Sequence, residues 1–356
     1  MEQLITVGLD LAKDVIAACV LDVHGAVIER RVLRRGAFER WAEQLPSCKV
    51  AMEACGSAHH WGRWFAAHGH TALLIAAEFV VPFRKGGKND TADAEAVAIA
   101  ARQPTMRFVP IKTVDQQAIL AWHSVREGWK EERTALLNRV RGLLAEFGIV
   151  IGRSSDRLLT ELPRLTEDPR LPDAIRAMLL EAREQFVALH ARLARCDAQI
   201  AAHARNSSAA QRASELLGVG PVTASALAAT VPDAKVFKSG RQFGAWLGLT
   251  PRQHSSGGRT RLGRISLRGN VYLRTLLIQG ARSTLQSAIN AEPSRASRLQ
   301  RWIIELYGRK GYHKTLIAIA NKHARILWAM LAKDERYDAA AWQRHPMHEL
   351  LLAGNA

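Results

Sequence analysis

The sequence predicts an α/β domain followed by a mainly helical remainder, α/β plus α in class. Three observations predict it. Short apolar runs and turn residues alternate with helical patterns over the first hundred residues. An unbroken heptad seam occupies the middle, and a glycine-rich turn between helical stretches opens the last third. The 356 residues suit two or three domains. With 48% hydrophobic and 23% charged residues the composition is globular. No stretch approaches the ~18 apolar residues of a membrane span; the best candidate, Thr71 to Phe83, is broken by Glu78 and Pro82.

Ile5, Val7 and Leu9 alternate with Leu4, Thr6 and Gly8, which suits a half-buried or central strand. Val15 to Val23 is a second apolar run, His24-Gly25 a turn, and Ala26 to Val32 a third run, so three strands form an antiparallel meander. Phe38 to Leu45 reads as a helix, Lys49 to Ala54 as a strand, His59 to His68 as a helix and Thr71 to Ala76 as a strand. Asp90 to Arg102 is an alanine-rich helix. The order βββαβαβα is the RNase H-like plan, with strand one central and beside the strand that holds Glu53.

In the middle, Ile175, Leu179, Ala182, Phe186, Leu189, Leu193, Cys196 and Ile200 keep an a/d spacing over more than three heptads. A looser apolar series, Trp122, Val125, Trp129, Leu136, Val140, Leu143 and Phe147, precedes it, and Pro163, Pro169 and Pro172 punctuate the segment between. Two long helices joined by a proline-containing connector make an antiparallel hairpin. Its seam serves either internal packing or a dimerisation and nucleic-acid-bracing arm. The third part opens on Leu216 to Ala224, LLGVGPVTA, a helix-hairpin-helix signature. Gly218 and Gly220 let the backbone approach a phosphate, and the next helix N-terminus offers N–H groups. Beyond Phe243 to Pro251 comes a small polar loop, Gln253 to Arg259, then Arg261, Arg264, Arg268, Gly269 and Arg274.

Charge narrows the function. The net charge is +17, yet residues 1–104 are neutral, 105–205 carry +3 and 206–356 carry +14. Between Asp233 and Glu292 lie ten Lys or Arg and no carboxylate. A soluble surface mixes both signs, so this asymmetry points to a polyanion, nucleic acid above all. Arg252, Arg259, Arg261, Arg264, Arg268 and Arg274 are the candidate contacts, with Gly218 and Gly220. The four cysteines form no CxxC pair, so free thiols in a reducing cytosol are expected. No basic segment precedes an apolar run at the N-terminus, so a secretory signal is not expected.

Four acids carry the candidate chemistry. Asp10 interrupts an apolar strand in VGLDLAK, where a carboxylate is expensive to bury unless it binds something. Glu53 ends VAME in the same way. Asp90 and Asp93, three apart at a helix start, project to one side; alone they also suit an N-cap with its capping-box partner. Convergence of the four would suit Mg²⁺ or Mn²⁺, hard cations that favour oxygen ligands. Such ions activate an attacking oxygen and stabilise the leaving one in phosphodiester cleavage. Asp14 and Glu95 are expected to be solvated, and His59 and His60 to be helix-start residues rather than ligands. Ser255 and Ser256 lie in the basic loop, where guanidinium groups would stabilise charge on an attacked phosphate. Spacing alone does not choose between them.

These motifs resemble the DEDD-type insertion-sequence transposases related to the Piv DNA invertases. The resemblance runs from about residue 4 to about residue 332. It rests on GLDLAK, AMEACGSAHHW and KNDTADAEAVA, then LLGVGPVTA, the stretch from Phe243 to Arg282, and KTLIAIANKHARILWAML. It implies a RuvC-like DEDD catalytic domain over 1–108 and a helical coiled-coil arm over 109–205. A transposase domain with helix-hairpin-helix and serine loop follows over 206–335, then a tail over 336–356. It further implies a metal-dependent recombinase with Asp10, Glu53, Asp90 and Asp93 on Mg²⁺, and with Ser256, the serine before Gly257, as covalent nucleophile. The implied partners are donor and target DNA, a structured noncoding guide RNA and further copies of the chain, dimer or tetramer. Acids of one subunit would serve the serine of another. Two other readings of the same residues are a Holliday-junction-type structure-selective endonuclease, which needs the acids but not Ser256, and a non-catalytic nucleic-acid-binding scaffold.

Overall fold

The computed structural model describes residues 5–84, 89–152, 155–255 and 259–340. The chain forms two compact units, Met1–Asp115 and Gln116–Ala356. In the first, β1 (Thr6–Leu11), β2 (Val15–Leu21) and β3 (Val27–Arg34) form the expected meander, and α1 (Arg35–Ala42) follows. Next come β4 (Lys49–Glu53), α2 (Ala58–Ala67), β5 (Thr71–Ile75), the single turn α3 (Ala77–Val80), α4 (Asp90–Ala101) and β6 (Phe108–Val109). The sheet order is β3-β2-β1-β4-β5-β6, with β4 parallel to both β1 and β5. A central β1 beside the Glu53 strand is what the sequence leads one to expect, and the mixed sheet with its helices is compatible with an RNase H-like domain. The short α3 and β6 have no periodicity long enough to announce them.

The two faces of this sheet differ by design of the alternation along each strand. Val7, Leu9, Val50 and Met52 pack with Phe38, Trp61 and Phe65 of α1 and α2, where Phe38 and Trp61 meet edge-on at 4.9 Å between centroids. Gly8 and Ala51, one residue out of step, face α4 instead. A Cβ at Gly8 would fall on the Ala94 carbonyl and come within 2.5 Å of the Ala98 backbone nitrogen, so glycine lets α4 lie directly on β1. Alanines at 94 and 98 of the helix, facing Ala17 and Cys19 of β2, keep that approach close.

The second unit is helical: α5 (Val114–Ala145), α6 (Ser155–Leu165), α7 (Asp173–Asn206), α8 (Ser208–Ser214), α9 (Pro221–Thr230), α10 (Gly240–Trp246), α11 (Val271–Ile289), α12 (Arg298–Lys310) and α13 (Tyr312–Lys333), with a hairpin of β7 (Pro251–Gln253) and β8 (Leu262–Ile265). Leu179, Ala182, Phe186 and Leu189 of the heptad seam are buried against Leu136, Leu137, Val140 and Leu144 of α5 and Leu158 and Leu162 of α6. Internal packing is therefore what occupies the upper seam, and those side chains are covered within one chain. The expected connector is itself partly helical. Pro163 sits near the end of α6, where its missing N–H removes a hydrogen bond without stopping the helix. Cys19, Cys48, Cys55 and Cys196 are all free thiols. No helix among the described residues is long and apolar enough to cross a membrane.

Candidate active site

Strand parity places the first two acids. Asp10 lies two residues beyond Gly8, and Glu53 two beyond Ala51, so both share the face that α4 covers. The β1–β4 register pairs Leu9 with Met52, which puts the two acids side by side at the C-terminal ends of adjacent parallel strands. α4 delivers the other two. Its N-cap is Asn89, whose side chain accepts from the Ala92 N–H at 2.8 Å; the cap is thus neither Asp90 nor a box closed by Asp93. Asp90 and Asp93 are free of capping duty and sit in the first turn, where the helix dipole favours negative charge. Asp93 is 6% exposed, whereas Asp90 is exposed.

The electrostatics record the gathering. Burial raises the Asp10 carboxyl above its ordinary value, and the charges of Asp93, Asp90 and Glu53 raise it further, with Arg84 opposing. Arg84 follows the 3-10 turn Val81–Phe83. Its Nε is 2.7 Å from Asp93 Oδ1 and one terminal nitrogen is 3.7 Å from Glu53 Oε2. The Asp93 contact is an ion pair without hydrogen-bond alignment, because both Arg84 Nε and Asp93 Oδ1 are buried with no hydrogen-bond partner. Among the described residues no three acid, histidine or cysteine groups yet stand at metal-holding distance. The donor set nevertheless fits a hard divalent cation: four carboxylates, a buried oxygen with no hydrogen bond, and mutual repulsion that Arg84 partly offsets.

The described residues on either side of the small polar loop pair as a short β-hairpin. Pro251 pairs with Ile265 and Gln253 with Leu262. Arg252, Arg259, Arg261, Arg264 and Arg268 are exposed along it. Ser255 Oγ accepts from Gln253 Nε2 at 2.9 Å and from the Arg261 N–H at 3.3 Å. Ser256 and Gly257 lie outside the described residues.

Comparison with known proteins decides the family. Residues 7–149 match a DEDD-type family of the IS110 group described as Transposase, and residues 210–297 match the one described as Transposase IS116/IS110/IS902 family. A probable family 20 transposase of Pseudomonas aeruginosa is 47% identical over 93% of this chain and 98% of its own length. The chain belongs to the IS110/IS116 family of DEDD-type transposases. It is also 38% identical to the transposase for insertion sequence element IS1111A of Coxiella burnetii, over 96% of this chain and 93% of that one. The transposase for insertion sequence element IS1328 of Yersinia enterocolitica is 35% identical over 93% and 97%. The chain is thus an insertion-sequence transposase, an enzyme of DNA cleavage and strand transfer.

Other expected residues of the transposase have mixed surroundings. Arg274 is 5% exposed, and its guanidinium donates to the carbonyls of Leu247 at 3.0 Å and Arg268 at 2.8 Å. It ties the base of the hairpin together instead of offering itself to a phosphate. In the turn between α8 and α9, Gly218 has φ +86° and packs on Gly280 and Thr284 of α11, whereas Gly220 faces open space ahead of Pro221. Glu95, expected to be solvated, pairs with Arg30 at 2.7 Å.

Two features have no local signal in the sequence. Arg84 is one; its role exists only through tertiary contact. The other is a polar knot that joins four helices of the second unit. His123 of α5 bonds Tyr272 of α11 at 2.9 Å and Ser225 of α9 at 3.0 Å, and Ser225 also bonds His203 of α7 at 2.9 Å.

Proposed function

We propose that this transposase is a metal-dependent recombinase in which Asp10, Glu53, Asp90 and Asp93 hold Mg²⁺, or Mn²⁺ in its place, and Ser256 is the nucleophile. The approach of Asp90 and Asp93 from α4 to Asp10 and Glu53 on the sheet face that α4 covers, to which the raised Asp10 carboxyl responds, carries the reading. When bound, the ion supplies Lewis-acid activation of the attacking oxygen and charge stabilisation at the leaving one. The chain's own residues do the rest. Ser256 Oγ forms a bond to phosphorus, a deoxyribose oxygen leaves, and the serine proton passes to that leaving oxygen. The energy of the phosphodiester is kept in the serine ester and is available for rejoining. Arg252, Arg259, Arg261 and Arg264 surround the attacked phosphate with positive charge. The basic C-terminal part, with the Gly218–Gly220 turn, holds donor and target DNA and a structured guide RNA. Several copies of the chain assemble, with acids of one subunit serving the serine of another.

The experiment is a trapped reaction with a DNA substrate carrying the element's ends and the RNA transcribed beside the gene. The DNA-linked peptide is mapped by mass spectrometry after proteolysis. An adduct on Ser256 that disappears in Ser256→Ala and in Asp10→Asn, with DNA binding retained in both, is expected. Free ends without an adduct would favour the endonuclease reading, and an adduct on another residue would displace Ser256.

A further inference from the structure

The second unit carries a second concentration of positive charge, on α10 and α13 rather than on the β7–β8 hairpin itself. α12, α13 and the segment after α13 enclose a groove of about 720 Å³, lined by Arg298, Trp302, Lys322 and Tyr337 among others. It runs on, through the shared residues Lys322, Ile326 and Ala329, into a depression of about 540 Å³ beside Arg241 and Arg325. The first groove has Glu335 and Asp338 at one side; the second has three cations in its lining and no carboxylate.

Local packing explains why the cations meet. A Cβ at Gly240 would come within 2.9 Å of the Arg325 carbonyl, so glycine at the start of α10 brings Arg241 alongside α13. Lys322 and Arg325 are three apart on α13 and share a face. The Lys322 ammonium lies 4.6 Å from the Trp302 ring centroid, which fixes a normally mobile head by cation–π attraction. Its neighbours tax its charge: enclosure by protein first, then Arg325 and Arg298, lower its affinity for the proton. Assembling like charges costs free energy that an anion would return.

We propose that this groove is a second backbone site, in which Arg241, Lys322 and Arg325 grip the sugar–phosphate chain of a nucleic acid while the hairpin holds a separate stretch. The proposal rests on the nucleic-acid reading above. The occupant follows from charge complementarity: a polyanion suits a carboxylate-free set of three cations, one of them held in place by an indole.

The test measures binding of the full chain to a labelled 30-base-pair duplex and, separately, to a labelled single-stranded RNA across a salt series. The variants are Arg241→Ala/Lys322→Ala/Arg325→Ala, its partial restoration Arg241→Lys/Arg325→Lys, and the hairpin pair Arg261→Ala/Arg264→Ala. The triple variant should lower the slope of log affinity against log salt by roughly 2–3 on duplex, at ~0.9 per phosphate contact, and by somewhat less on a single strand. Affinity near physiological salt should fall on the order of tenfold or more, and the lysine-for-arginine variant should keep the wild-type slope. The arm that responds tells whether DNA or RNA occupies the groove. An unchanged slope in the triple variant on both probes, with the hairpin pair still lowering it, overturns the groove and leaves the broader reading standing. Failure of the wild-type chain to bind either probe overturns both.

Discussion

Arg84 Nε lies 2.7 Å from Asp93 Oδ1 inside a cluster of four carboxylates, and neither atom makes a hydrogen bond. The guanidinium stands where positive charge is needed, held by charge more than by directed bonding. If the four acids hold a divalent cation as proposed, that cation would compete with it. Arg84→Ala should therefore bind Mg²⁺ several-fold more tightly by calorimetry. The metal-free variant should also be less stable by about 1 kcal/mol, a discounted value because the arginine is partly exposed. The thermal shift on adding Mg²⁺ should then exceed that of the wild type. Equal affinity and equal shifts in the two proteins would show that Arg84 and the metal do not compete.

The His123–Ser225–His203 knot makes a different prediction, for pH. Burial lowers the His123 pKa from 6.5 to about 4, helped by the charges of Arg126 and His203, with Glu127 opposing; burial lowers His203 too. The folded chain thus holds these rings neutral, whereas the unfolded chain protonates them below pH ~6.5. The stability they contribute is complete above that value and is lost as pH falls from 6.5 towards 4. For His123 alone the loss at pH 5 is about 2 kcal/mol by linkage. Urea titrations at pH 7.5 and pH 5 should show this loss in the wild type and less of it in His123→Gln. A variant with the same pH dependence as the wild type would assign the acid sensitivity to other groups.

Leu189 tests where the seam is satisfied. It is 1% exposed in the core shared by α5, α6 and α7. Leu189→Ala should cost about 2–5 kcal/mol in unfolding free energy. Because its partners belong to the same chain, light scattering should report the same mass before and after the substitution. A drop to a smaller species at unchanged fold would move this part of the seam to a subunit interface.

The N-terminal order was legible because β1, β2 and β4 are buried on both faces and so read as short continuous apolar runs, each bounded by turn or polar residues. Asp10 and Glu53 were legible for a related reason, as carboxylates at the ends of apolar strands. The β7–β8 hairpin was not: Pro251–Gln253 is wholly exposed and Leu262–Ile265 nearly so, and exposed strands need no apolar alternation. α6 was hidden by Pro163, a residue that ends most helices yet is tolerated here near the helix end. The acids could be read as a set, but Arg84 could not, since nothing local marks it as their counter-charge. His123 and Tyr272, 149 positions apart, meet only through packing.

The two glycines before α9 separate packing from binding. Gly218 has φ +86°, a left-handed backbone that side chains resist, and an added Cβ would fall on Thr284 Oγ1 and within 2.6 Å of the Gly280 carbonyl. Thr284 is itself committed, its one hydroxyl proton shared between Leu217 O at 3.1 Å and Gly280 O at 3.0 Å, so it has little freedom to move. Gly218→Ala should therefore destabilise the second unit by about 1–3 kcal/mol, whatever its effect on nucleic acid. Gly220 has φ −83°, which alanine adopts freely, and no atom lies within 4 Å of its would-be Cβ. Gly220→Ala should leave the melting temperature within about a degree, in line with the small effect of surface changes. If the turn and the first N–H groups of α9 approach a phosphate, the new methyl stands in the way and DNA affinity falls. Normal melting with weakened binding in Gly220→Ala, beside reduced melting in Gly218→Ala, is the expected pair of results. Undiminished binding by Gly220→Ala would make the motif a packing turn alone.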